Sequence, residues 1–330
     1  MQMQNGAVTP YMNIYIASAV FQIFQIITVL AFSPLIAGFI NKIEEIIQGK
    51  RGPSILQPYY DLYKLFHKEI IISEDSSFVF RSAPFVSFIS MILITMLIPV
   101  LTAYPLPLGF MGDMLGGAFL FSLSSFFINI ASLDKGTSYG GLGSSRATVL
   151  AILSEPTLIL VFVGVALIAK STLPYVMLNT IISHLPLYFS SSHFLIITAF
   201  FLLFLADTDR RPINASTHVE MSMIEEARIL DYSGPYLALL KWSGYMKQFL
   251  LLVIFLNVLV FPWGLAVNHS PLSLFIAVIT LIFKMFIVGV IAALIDTSIS
   301  RLRFFRYQEY FAAAFVLSVL AIMTFQYKGF

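Results

Sequence analysis

PLSLFIAVITLIFKMFIVGVIAALI, residues 271–295, decides the fold of this chain; apart from Lys284 it carries no charged side chain. A bilayer core about 30 Å thick needs roughly 20 apolar residues in helical conformation, so the stretch reads as a membrane span. Runs of the same kind recur at 11–40, 84–103, 114–133, 147–169, 191–206, 237–263 and 307–327. Together they predict an all-α, polytopic membrane helical bundle of about eight transmembrane helices, one domain over 1–330, with the fifth span the shortest. Residues 171–190 are apolar but broken by Pro174 and Pro186, which leaves a loop, a re-entrant piece or an extension of a neighbour. Composition agrees: 58% of residues are hydrophobic and 11% charged, against about 25% charged in soluble domains. The first run is much longer than a signal-peptide core, and no small-residue cleavage site follows it, so it is expected to remain as a helix.

The net charge is only +2, but the first, third, fifth and seventh connections, counted with Lys241 and Lys247 early in the sixth span, hold sixteen of the nineteen Lys and Arg residues. Lys170 and Lys328 lie opposite them, and Lys284 lies inside a span. The positive-inside rule then predicts that the odd connections face the cytoplasm and both termini face out. The alternation supports eight spans, because losing one would scramble it.

The chain has no cysteine. That removes the usual Fe–S ligands, Cys-rich structural zinc and disulfides. The histidines, at 67, 184, 193, 218 and 269, do not form two facing pairs within spans that would hold haem. Redox centres are therefore expected in partner subunits, and no cofactor or metal in this chain.

Two connections are longer than turns require. In 41–83, Ile55, Tyr59, Leu62, Tyr63 and Phe66 recur at helical spacing, which predicts an amphipathic helix at the membrane surface or under a partner. Ahead of it, Lys50 and Arg51 sit in a basic turn suited to lipid headgroups or to docking. In 207–235, Thr217-x-x-Glu220 has the form of a capping box that starts a helix near 218, and Gly234-Pro235 would stop it. On that helix His218, Ser222, Glu225 and Ile229 share a face, so His218 and Glu225 would line one wall of a cavity. The plain alternatives are a cap for Glu220, solvation for Glu226 and a neutralising neighbour for Arg228. The Gly/Ser-rich third connection, Asp134 to Arg146, matches no nucleotide-binding loop, because no strand precedes it.

Glu155 and Lys284 lie deep within spans, where ionisable groups are costly and tend to mark function. Glu155 is followed by Pro156, which deprives the Ile152 carbonyl of its helical donor. A carboxylate beside a freed carbonyl makes a polar pocket suited to a proton relay; an ionised acid there costs about 3 kcal/mol. The bland alternative is a buried ion pair or a carboxyl hydrogen-bonded to a neighbouring helix. Lys284 lies about 20 Å along its span at 1.5 Å per residue, too deep to reach the near surface easily, and should face the interior and pair with an acid here or on a partner. Asp296 and Glu309 read as surface partners of Arg301, Arg303 and Arg306.

Four segments, in order, resemble the family of membrane subunits that anchor the hydrophilic arm of respiratory complex I, with counterparts in formate hydrogenlyase and energy-converting [NiFe] hydrogenases. They are QGKRGPSILQPYYDLYKLFHKE (48–69), GGLGSSRATVLAILSEPTLIL (140–160), DYSGPYLALLKWSGYMK (231–247) and SRLRFFRYQEY (300–310). The likeness covers most of the chain and places Glu155 at the family's matching acid. Within it, THVEMSMIEEA (217–227) is similar to the hydrogenlyase-type branch rather than the quinone-reducing one, and Asn214 departs from the acid common at that position.

The resemblance implies a non-redox subunit beneath a soluble arm, made of a hydrogenase-like large subunit and an Fe–S small subunit. Fe–S clusters, and [NiFe] in hydrogenase members, belong to those partners; the other neighbours are antiporter-like membrane subunits and the lipid bilayer, with no nucleic acid. The long connections 41–83 and 207–235 would dock that arm, with Lys50, Arg51, Asp61, Lys64, Arg146, Arg301 and Arg303 at the contact. Glu155, His218, Glu220, Glu225, Glu226, Asp231 and Lys284 would form an ion pathway, in the plasma membrane of a prokaryote. The acceptor stays open between protons, quinone and sulfur, and the ion between H⁺ and Na⁺. A stand-alone secondary transporter using Glu155 and Lys284 is the alternative class; a lipid-active enzyme is weaker, for want of a nucleophile with a base.

Overall fold

A computed structural model describes residues 5–72, 76–109, 112–208, 210, 211, 213, 224–268, 270–300, 302 and 306–327, with side chains from Ser18 onward. In chain order the described helices are α1 (Asn5–Ile47), α2 (Gln57–Phe66), α3 (Phe78–Leu97), α4 (Met114–Asp134), α5 (Ser138–Ala169), α6 (Pro174–Ser183), α7 (Leu185–Tyr188), α8 (Ser191–Asp207), α9 (Glu225–Ile229), α10 (Gly234–Val253), α11 (Pro271–Ser298) and α12 (Tyr307–Tyr327). The last turns of α10 widen into a π-helix over Ile254–Val260. Seven of these helices are long and apolar enough to cross a membrane: α1, α3, α4, α5, α10 with its π segment, α11 and α12.

The fifth expected span is α8, whose 17 residues cover only about 25 Å at 1.5 Å per residue. It tolerates that length because it lies inside the bundle. Ile196, Ala199, Phe200, Leu203 and Phe204 are all buried, and Phe200 and Phe204 lie nearly parallel to Phe255 of the π segment, centroids 6.1 and 6.4 Å apart. Its main neighbours are α12 and α5.

Several boundaries differ from expectation for local reasons. The Gly/Ser-rich stretch is not a loop: Thr137 caps the Gly140 amide (3.2 Å) and α5 begins at Ser138. Glycine there admits neighbours, since a Cβ on Gly140 would lie 2.7 Å from the Ser132 carbonyl oxygen. Residues 171–190 resolve into α6 and α7, each with proline in its first turn, where the missing N–H costs nothing. Likewise Gly234-Pro235 does not stop the acidic helix. That helix ends at Ile229, and Pro235 sits in the first turn of α10. Gly234 takes φ +56°, and a Cβ there would lie 2.6 Å from the Glu69 carbonyl oxygen. The expected cap at Thr217–Glu220 lies outside the described residues.

α2 is the predicted amphipathic helix. Pro58 and Leu62 are buried, while Tyr63 is 68% exposed. Tyr59 donates to the Ala31 carbonyl and so fastens α2 to α1.

Candidate functional site: a carboxylate-lined cavity

Three carboxylates from three elements meet where the long connections gather. Glu155 lies on α5, Asp207 ends α8 and Glu225 opens α9. With Arg228 and with Lys247 of α10 they line a void of about 50 Å³. A larger cavity of about 270 Å³ adjoins it, sharing the walls Phe121, Ser125, Asp207, Glu225, Arg228 and Lys247. Ser87, Ser124, Ser243 and Gln248 add polar groups to its surface. That is room for several waters between groups able to hydrogen-bond them.

Lys247 is fourteen residues into α10 and acts electrostatically on all three acids. Ser122 lies beside Glu155 and Ser154 beside Asp207. α5 continues through Pro156 without ending, so the proline leaves Glu155 within a long helix. Arg228 is buried, pairs with Glu225 and donates to Asn129 Oδ1 at 2.7 Å. Burial pushes the Glu225 carboxyl up, but Arg228 and Lys247 outweigh it and hold it below the usual carboxylate range.

The close seat of α9 depends on Gly143. A Cβ on it would stand 2.7 Å from Ala227 Cβ and 3.1 Å from the Arg228 amide nitrogen. The C-terminal side of α9 is also fixed. Asp231 accepts from Thr137 Oγ1 (2.7 Å), and the Tyr232 ring stacks on Phe80 (4.0 Å between centroids, 3° apart) and donates to the Phe80 carbonyl at 2.9 Å.

Of the residues expected in an ion pathway, Glu155 and Glu225 come together, and Glu226 lines the larger cavity from an exposed position. Asp231 ties the connections together and lines neither cavity. His218 and Glu220 lie outside the described residues. Lys284 stands apart, near the end of the π segment; instead of an acid it meets the carbonyls of Phe261 (2.7 Å) and Trp263. Asp207 and Lys247 were not anticipated.

Nor was a buried ion pair between Glu44 of α1 and Arg210. Beside it Asp296, expected at the surface, is buried and accepts from the Arg211 amide at 2.6 Å. Glu309 is exposed as expected. Of the expected docking charges, Lys50, Arg51 and Lys64 are exposed, Asp61 accepts from Gln57 Nε2 (2.9 Å), and Arg146 is half-buried on α5. Arg301 and Arg303 lie outside the described residues.

A bundle of this construction, with acids brought together inside it, defines a multi-pass integral membrane protein built around a polar interior cavity. The profile of the NADH dehydrogenase family matches residues 19–326, and the chain belongs to that family. It is 30% identical over 303 residues to hydrogenase-4 component C of Escherichia coli, covering 92% of this chain and 94% of the relative. It is 29% identical over 286 residues to formate hydrogenlyase subunit 4 of the same organism, covering 87% and 92%. In fold it matches a chain of the membrane-bound sulfane sulfur reductase, an archaeal respiratory membrane complex, with a TM-score of 0.76 at 19% identity, over 94% of this chain and 99% of that one.

Proposed function

We propose that this chain is the non-redox membrane subunit that anchors the Fe–S and [NiFe] hydrophilic arm of a formate hydrogenlyase or membrane-bound hydrogenase-type complex, and that it couples electron transfer in that arm to ion translocation. The carrying observation is the convergence of Glu155, Asp207 and Glu225 around Lys247 in one cavity. It lies at the end of the bundle bearing α2, α9 and the basic connections, which the charge distribution assigns to the cytoplasm of a prokaryote. Kinship with hydrogenase-4 and formate hydrogenlyase subunits supports the choice of complex. Exposed Lys50, Arg51 and Lys64 meet the arm, together with Asp61, Arg146, Arg301 and Arg303. Glu225 receives the ion from the junction, with Glu226 at the mouth, and His218 and Glu220 are assigned to the same pathway from the sequence alone. Asp207 and Glu155 pass it inward, towards antiporter-like neighbours.

The test is coupled transport by the intact complex in proteoliposomes. Glu155→Gln and Glu225→Gln should each lower ion uptake per electron transferred on the order of tenfold or more, with normal subunit content. Normal coupling in both variants would make them structural acids and sink the relay. Gentle purification of the chain alone, with no Fe–S partner, would overturn the anchoring role.

A further inference from the structure

Beside the carboxylate cavity, the guanidinium of Arg228 is held by two groups of opposite character. Nη2 pairs with the Glu225 carboxylate, while Nη1 donates to Asn129 Oδ1 of α4 at 2.7 Å, with Ser125 Oγ of the preceding turn at 3.5 Å. Nε meets no hydrogen-bond partner among the described residues, so the two tips orient the fork. The Arg228 side chain keeps 3% exposure and that of Glu225 38%: the acid is open to the cavity, and the cation that neutralises it is not. Both residues line both voids, whereas Asn129 lines neither, so it reaches the guanidinium from the α4 side. Arginine has no acceptor atom, which fixes the amide with its oxygen towards Nη1.

This bond is not what seats α9. Gly143 admits Ala227, Asp231 accepts from Thr137 Oγ1 and Tyr232 donates to the Phe80 carbonyl, all without Asn129. The backbone of Asn129 is tied separately, since its carbonyl accepts from Ser144 Oγ of α5 at 2.9 Å. What the side-chain bond adds is a direction for the guanidinium. A neutral oxygen suits that task, because it takes up Nη1 without competing for the positive charge. A carboxylate there would form a charge-assisted bond about twice as strong and draw the fork off Glu225. The other charged groups on the cavity walls are Glu155 of α5, Asp207 of α8, Glu226 of α9, Arg210, and Lys241 and Lys247 of α10, with Tyr245 the remaining titratable one among the described residues. Asp207 and Glu155 line the small void together with Arg228, and are the acids that a freed guanidinium would meet.

We propose that Asn129 is a positioning residue of the relay: its amide oxygen holds Nη1 of Arg228, so that the guanidinium stays on Glu225 and does not turn into the cavity towards Asp207 and Glu155. It rests on the relay reading only in giving Glu225 a task. With Asn129 in place, Glu225 has a cation of its own and stays ionised to lower pH. Without it, that cation is shared with two other acids, and Glu225 takes up a proton more readily.

The experiment follows Glu225 in the intact complex by infrared difference spectroscopy over a pH titration, using the C=O band of its protonated carboxyl, identified as the band that Glu225→Gln removes. Asn129→Leu, of similar branched shape but without an acceptor, should raise the titration midpoint by about one unit, or about tenfold in proton affinity. In an Arg228→Met background the same substitution should move the midpoint no further. An unmoved midpoint in Asn129→Leu overturns the proposal, even if transport falls, because loosened packing would account for that. A shift of equal size with Arg228→Met in place overturns it too, since Asn129 would then act without the guanidinium. Should Asn129→Leu fail to assemble, Asn129→Ser, whose oxygen stops short of Nη1, decides in its place: a raised midpoint supports the assignment and an unmoved one refutes it. Normal coupling in Glu225→Gln would sink the relay but leave this band and its midpoint measurable, so the two failures are told apart.

Discussion

Lys247 carries more of the proposed relay than any single acid, because three carboxylates share its field. For Glu225 the consequence has a definite sign. Its folded-state proton affinity is depressed by Arg228 and Lys247. The stability this gives is present above the unfolded carboxylate value of about 4.3 and is lost as pH falls through the lower folded value. Lys247→Met removes one of the two cations and raises the proton affinity of Glu225. The acidic limb of the pH–rate profile for coupled transport should therefore move to higher pH, by about one unit, with assembly unchanged. An unmoved limb would show that Lys247 does not set the protonation of the site. Glu155 and Glu225 were legible in the sequence as charges out of keeping with an apolar chain. Asp207 was not, because it stands at the boundary of a span, and Lys247 was not, because the positive-charge count absorbed it into the fifth connection although it lies within the run 237–263 and well within α10.

Between elements, the decisive fit is α9 against α5. The sequence GGLGSS reads as a loop by composition, since glycine and serine are poor helix formers. Tertiary contact overrides propensity here: α4 covers Gly140, and Ala227 of α9 occupies the space a side chain on Gly143 would take. Two neighbouring glycines then separate packing from propensity. Gly143→Ala should cost about 1–3 kcal/mol by overpacking, shift α9 and weaken coupling. Gly141→Ala meets nothing within 4 Å and should be neutral or stabilise by about 0.5–1 kcal/mol. Hydrogen exchange over 224–233, compared between the two variants, checks this; equal protection would mean that α9 is not held through Gly143. Of the eight expected spans, seven correspond to helices long and apolar enough to cross a membrane, because a long apolar run is a strong signal in the sequence, and the eighth corresponds to the 17-residue α8. Helix ends followed local contacts instead, and 237–263 gave no sign of a π segment whose last carbonyls are satisfied by side chains from α7 and α8.

Across the whole molecule, Arg210 in the wall of the larger cavity is held by charges that no local pattern connects. Glu44 near the end of α1 pairs with Arg210 after α8, and Asp296 near the end of α11 takes the Arg211 amide. Three distant parts of the chain thereby converge, with Glu44 at 0% and Arg210 at 2% exposure. Burial pushes the Arg210 guanidinium down to about 10, against the pull of Asp296, so it remains charged at neutral pH. A buried pair contributes little net stability over apolar residues of similar size, yet breaking one side leaves an uncompensated charge and costs about 3–5 kcal/mol. Glu44→Leu alone should therefore lower the unfolding temperature of the complex sharply. Glu44→Leu combined with Arg210→Met should recover most of that loss, since no buried charge is then stranded by the pair. Equal damage in the single and double variants would mean that Glu44 acts through other contacts. Recovery of stability without recovery of ion coupling in the double variant would place Arg210, which lines the larger cavity, among the groups the relay uses.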